Sequence, residues 1–151
     1  MKLIVQRVKE VYIKTEGKIH DNCGRGLLVL VGISKNDDGT EISFLADKLV
    51  NLRIFEDEHG KMNLSVKDIK GDIAAVSQFT VYGDTKKGRR PGFSLSDVPE
   101  KAKPLYDKFI EELKYTGLKV IEGVFGSHMH IGLINDGPAT FIIEKDNNNL
   151  T

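Results

Sequence analysis

The order of its apolar segments predicts that this chain folds as α+β: two layers of mostly antiparallel β-sheet with two main helices packed on one side, in a single domain. Three observations carry that expectation. Short strand-like runs come first, helix-like runs interrupt them, and strand-like runs return at the end, unlike the strict alternation of a doubly wound sheet. A length of 151 residues suits one domain that buries an adequate core without staples. Hydrophobic residues at 40% and charged residues at 29% give the balance of a soluble globular chain.

Residues 3–8 and 10–15 read as consecutive strands; in the second, Val11 and Ile13 alternate with Glu10, Tyr12 and Lys14. Asp21-Asn22-Cys23-Gly24 reads as a turn. Residues 26–33 are uniformly apolar and flanked by glycine, which suits a central strand covered on both faces. Residues 40–52 place Ile42, Leu45, Ala46 and Leu49 at helical spacing, with Asp38 or Thr40 available as N-cap. Residues 52–55 then read as a strand, closed by the turn Asp57-Glu58-His59-Gly60. Residues 72–79 form another buried strand, and residues 83–96 a long glycine- and proline-bearing loop of the kind that often serves function. A second helix begins at Asp97 with Glu100 as a capping-box partner, is delayed by Pro104, buries Leu105, Phe109, Ile110 and Leu113, and ends at Gly117. Strands follow at 118–124, 128–135 and 140–145, the last two joined through Asp136-Gly137-Pro138. Residues 1–145 constitute the domain, and the asparagine-rich residues 146–151 read as a frayed polar tail.

The longest apolar run is far too short to cross a bilayer, and a charge at Lys2 precedes any signal-like segment, so the chain is expected in the cytoplasm with no membrane partner. One cysteine, Cys23, fits a reducing compartment and has no base beside it in sequence. The formal charge is zero, with 22 basic and 22 acidic side chains, which excludes wholesale neutralisation of a nucleic-acid backbone. The charge is nonetheless uneven: Lys86-Lys87-Gly88-Arg89-Arg90 concentrates cations where a local phosphate contact is feasible.

Two short segments carry the chemistry. Ser77-Gln78-Phe79-Thr80-Val81-Tyr82-Gly83 stands where an apolar strand ends, and its hydroxyls and amide bind a polar ligand without charge; read alone, it equally fits an ordinary strand end. Asn135-Asp136-Gly137-Pro138-Ala139-Thr140 contains a glycine before proline, the setting in which a cis peptide bond is admitted, though a plain turn fits as well.

Taken together, with Asp84-Thr85 running into the cationic stretch, these segments resemble the D-aminoacyl-tRNA deacylase (D-tyrosyl-tRNA deacylase) family. Val5-Gln6-Arg7-Val8, Asn51-Leu52-Arg53-Ile54-Phe55-Glu56-Asp57, Gly60-Lys61-Met62-Asn63-Leu64-Ser65, Phe125-Gly126 and Met129 match too, so the resemblance spans nearly the whole chain. It implies a homodimeric esterase that removes D-amino acids from tRNA without a cofactor or metal. Ser77, Gln78, Phe79 and Thr80 would surround the terminal adenosine and the ester. Gly137 and Pro138 would enter the partner subunit's pocket as a cis dipeptide whose carbonyls leave no room for an L side chain, and Met129 would flank that pocket. Glycyl-tRNA, lacking a side chain to exclude, would also be hydrolysed. Lys86, Lys87, Arg89 and Arg90 are the natural contacts for acceptor-stem phosphates.

The proton chemistry stays open in the sequence. Thr80 as nucleophile needs a base that is not adjacent, so water attack with backbone and Gln78 donors at the oxyanion is favoured, with help from the RNA's ribose hydroxyl. His128 and His130 share a strand face at a spacing a metal can use, but no third ligand is apparent, and the family more often has acidic or amide residues there. A tRNA- or nucleotide-binding module without turnover, and a metal-dependent hydrolase built on the histidines, are the competing readings.

Overall fold

Strand β1 (Lys2–Thr15) pairs along both edges, and the other elements are arranged around it. The computed structural model describes residues 1–145; the tail expected to fray, residues 146–151, lies outside the described residues. On one edge β1 is antiparallel to β2 (Lys18–Cys23) and β3 (Gly26–Gly32). On the other it is antiparallel to β8 (Met129–Glu144). β6 (Asp72–Ser77) runs parallel to β3, and β7 (Val120–Glu122) parallel to β6. A separate antiparallel hairpin joins β4 (Phe55–Glu56) and β5 (Met62–Leu64).

The predicted α+β class and mostly antiparallel pairing are both observed. The parallel pairs arise because α1 (Ile42–Asn51) lies on the path from β3 to β6 and α2 (Pro99–Lys114) on that from β6 to β7. The two helices pack against each other and contribute to the same core, so both lie on one face of the sheet.

Two cores result. Beneath the helices, Leu45, Leu49, Tyr106, Phe109 and Leu113 meet Leu27, Val29 and Val31 of β3 and Ile73 and Ala75 of β6. On the opposite face Leu28, Ala74 and Val76 join Val8, Val11 and Ile13 of β1. β3 is therefore buried on both sides, as its unbroken apolar run predicted. β1 changes sides along its length, since Leu3 and Val5 belong to the helix-side core. Its register against β8 shifts between Gln6 and Val8 and again between Val8 and Glu10, and an odd-residue slip moves every following side chain to the other face.

Several boundaries differ from expectation. Residues 3–8 and 10–15 are one strand, because the break between them is a register shift and not a turn. Residues 128–135 and 140–145 likewise belong to one strand: Val8 faces Asn135 while Gln6 faces Thr140, so the intervening residues bulge out without ending the pairing. The expected turn at Cys23 is the end of β2, and the true turn is Glu16-Gly17 with φ 51° and 76°. β2 is largely exposed, which hid it from an apolar-pattern reading. β5 was equally unsignalled, although the turn at 57–60 is present and held by Asp57 Oδ1, which accepts from the N–H groups of His59 and Lys61. Neither helix has a side-chain N-cap: Asp38 instead accepts from Thr40 N–H in the preceding turn, and Asp97 from Val98 N–H. Pro104 does not delay α2, which begins at Pro99 and runs through it.

Cys23 is buried, and burial, with a smaller push from the Asp72 carboxylate, raises its thiol to about 12. A native protein treated with iodoacetamide at pH 8 is expected to stay unlabelled, while the urea-unfolded chain reacts fully. Rapid labelling of the folded protein would contradict the burial.

Candidate active site

β6 ends because Gln78 leaves the strand (φ −145°, ψ 87°) and the chain enters a 3-10 turn, Phe79–Tyr82. The Gln78 backbone N–H still donates to the Val31 carbonyl at 2.8 Å, which fastens the turn to β3. Gly32 permits this approach, since a Cβ there would lie 2.8 Å from Val81 Cβ. From the other side the Ser96 hydroxyl donates to the Phe79 carbonyl at 2.8 Å, and the Phe79 and Phe93 rings meet edge to face at 5.1 Å. Hydrogen bonding within the turn begins with Val81 N–H to the Gln78 carbonyl, so the N–H groups of Phe79 and Thr80 precede it. The Gln78 side-chain amide donates to Thr80 Oγ1.

A cavity of about 560 Å³ opens between this turn, the start of α2 and the segment leading into β8. Ser77, Gln78, Phe79 and Met129 all line it, so four of the sequence-predicted residues converge. Met129 lies close because residue 123 is glycine: a Cβ there would be 2.5 Å from its sulfur. The walls are mostly apolar, with a few convergent polar groups, the usual character of a small-ligand site.

The other predicted residues lie elsewhere in the chain. Thr80 is exposed and does not line the cavity. Gly137 and Pro138 sit in the β8 bulge, with β1 and β3 between that strand and β6 in the sheet order. Their peptide bond is cis. The bulge is held by Arg7, itself only 4% exposed, whose Nε donates to the Asp136 carbonyl at 2.9 Å and lies 3.3 Å from its carboxylate. A second nitrogen of the same guanidinium donates to the Ile54 carbonyl at 2.6 Å. Lys86, Lys87, Arg89 and Arg90 are exposed on a loop pinched by reciprocal backbone bonds between Asp84 and Gly92 at 2.7 and 2.9 Å.

Sequence reasoning did not place two further groups at the cavity. Asp97, read as a helix cap, is the one carboxylate among the lining residues, and His128 the one imidazole. Asp97 was signalled only by its position next to segments already singled out, and His128 only by its spacing from His130. The His128 and His130 rings meet edge to face at 4.9 Å. Among the described residues, no group of three or more His, Cys, Asp or Glu side chains is placed to hold a metal ion.

The chain matches the family described as D-Tyr-tRNA(Tyr) deacylase over residues 4–144. It belongs to that family. A D-aminoacyl-tRNA deacylase of Thermosipho africanus is 50% identical over 96% of this chain and 97% of its own length. One from Thermotoga petrophila is 51% identical over the same shares. Among solved structures, the c-Myc DNA Unwinding Element Binding Protein superposes with a TM-score of 0.90 at 40% identity, covering 96% of this chain and 99% of its own. The deacylase family match encloses both motifs, from the Ser77 turn to the Gly137-Pro138 bulge.

Proposed function

We propose that the protein hydrolyses the ester of D-aminoacyl-tRNA, releasing the free D-amino acid and tRNA, and thereby proofreads chirality before translation. The observation that carries this reading is the convergence of Ser77, Gln78, Phe79 and Met129 on one cavity in a member of the deacylase family. The terminal adenosine and ester occupy that cavity. An aminoacyl ester is already activated, so a positioned water and fixed donors to the developing oxyanion suffice. The Gln78 amide and the leading N–H groups of the 3-10 turn are those donors. Thr80 Oγ1 is engaged by Gln78 and has no base beside it in sequence. Thr80→Ala is therefore expected to retain activity within a few-fold; complete loss with the fold intact would favour a threonine nucleophile.

Two enantiomers share hydrophobicity and charge, so only rigid shape separates them. Gly137 and Pro138 supply that shape to the cavity of a second copy in a homodimer, where their carbonyls exclude an L side chain by clash. The place of the bulge, across β1 and β3 from the cavity of its own chain, agrees with a contribution in trans. A glycyl ester passes the same screen. Lys86, Lys87, Arg89 and Arg90 meet acceptor-stem phosphates, and the reaction takes place in the cytoplasm. Neutralising the four cations is expected to weaken tRNA binding and flatten its dependence on salt; an unchanged slope refutes the contact.

A binding module without turnover is the second reading, favoured by the structural likeness to a protein named for binding DNA. Incubation with D-tyrosyl-tRNA decides between them. Catalytic release of D-tyrosine supports the hydrolase, and tRNA binding with no release beyond the spontaneous rate supports the module.

A further inference from the structure

A second cavity, of about 580 Å³, adjoins the first. It forms where the end of β1 pairs with the start of β8, Thr15 opposite Met129 and Lys14 opposite His130, beside the Glu16-Gly17 turn. Ser127 and His128 line both cavities, so the two share a wall. Glu16, Thr15 and His130 belong to the second alone.

We infer that this second cavity is a subsite for the nucleotide preceding the terminal adenosine, a cytidine whose base stacks on His130 and whose exocyclic amine faces Glu16. The inference rests on the proposed placement of adenosine in the first cavity. A strand leaving that cavity past Ser127 and His128 meets His130 next. Imidazole faces are stacking platforms for unpaired bases. The edge-to-face arrangement of the two histidines leaves both faces of one ring, and one face of the other, clear of its partner. A carboxylate repels phosphate but accepts well from the cytosine amino group, which sets the base and not the backbone against Glu16. The Thr15 and Ser127 hydroxyls are donors for the linking phosphate.

The test compares two substrates on the same enzyme: D-tyrosyl-adenosine, which ends at the first cavity, and the D-tyrosyl ester of the trinucleotide CCA. His130→Ala is expected to lower kcat/KM on the trinucleotide about tenfold, the effect of one lost stacking contact. Activity on the adenosine ester is expected to stay unchanged, and His130→Phe to restore the trinucleotide rate. Replacing the penultimate cytidine by uridine removes the amine and is expected to cost the wild type but not Glu16→Ala. Equal losses on both substrates, no loss on either, or failure of Phe to rescue would overturn the subsite. Affinity for uncharged CCA, measured by fluorescence, reads the subsite apart from catalysis: a protein that binds CCA through His130 but releases no D-tyrosine refutes the hydrolase reading and keeps this one.

Discussion

Gln78→Ala is expected to lower kcat on D-tyrosyl-tRNA by roughly a hundredfold or more while leaving the melting temperature within a degree or two. The catalytic loss follows from the proposed role of the Gln78 amide as an oxyanion donor, since removing such a donor typically costs about 10²–10³ in kcat. The stability is spared because the Gln78 side chain is only half-buried at the cavity wall and, among the described residues, bonds to exposed Thr80. Its structural duty, the bond to the Val31 carbonyl, is made by the backbone N–H and survives the substitution. A large rise in KM with kcat intact would instead assign Gln78 to ground-state binding.

Arg7→Leu is expected to destabilise the fold by about 3 kcal/mol and to lower discrimination between D- and L-esters at the same time. The substitution leaves the buried Ile54 carbonyl and the Asp136 carbonyl without their donor, and removes the cation paired with the Asp136 carboxylate. Removing one partner of a buried charged network generally costs about 3–5 kcal/mol, and the partial exposure of Asp136 places this case at the lower end. Urea unfolding checks the first part, with a lowered midpoint at unchanged slope. Lys2→Ala provides the contrast: its ion pair with Glu144, at 3.3 Å, is partly exposed and involves no buried carbonyl, and its loss is expected to shift stability by less than about 1 kcal/mol. On the proposed chiral screen Arg7 acts as a positioning residue, through its bonds to the bulge. An Arg7→Leu protein that keeps full stability and selectivity would show that the bulge holds its shape without it.

Much of this was legible in the chain. β3 declared itself through seven residues with no polar side chain, and α1 and α2 through buried stripes at helical spacing. Ser77, Gln78, Phe79 and Met129, singled out in the sequence, line one cavity, while Thr80 beside them does not. What stayed hidden follows from how strands are stabilised. β2 is satisfied by backbone pairing to β1 and needs few apolar side chains, so Lys18-Ile19-His20-Asp21-Asn22-Cys23 carries no strand pattern. The bulge at Gly137-Pro138 resembles a turn in sequence because both need the same residue types; only the pairing of Gln6 with Thr140 and Val8 with Asn135 tells them apart. Asp97 sits before a helix, where acidic residues are common for capping, and that masked its place at the cavity. The continuity of β1 also went unseen, because a register shift leaves no glycine or proline as a marker.

The central claim is that one rigid site admits D-aminoacyl esters and rejects their mirror images. The direct measurement is kcat/KM for D-tyrosyl-tRNA and L-tyrosyl-tRNA, prepared on the same tRNA and assayed side by side with glycyl-tRNA. Rapid release from the D-ester and the glycyl ester, with the L-ester cleaved no faster than it hydrolyses spontaneously, is the predicted result. Comparable rates on the two tyrosyl enantiomers would contradict the chiral screen.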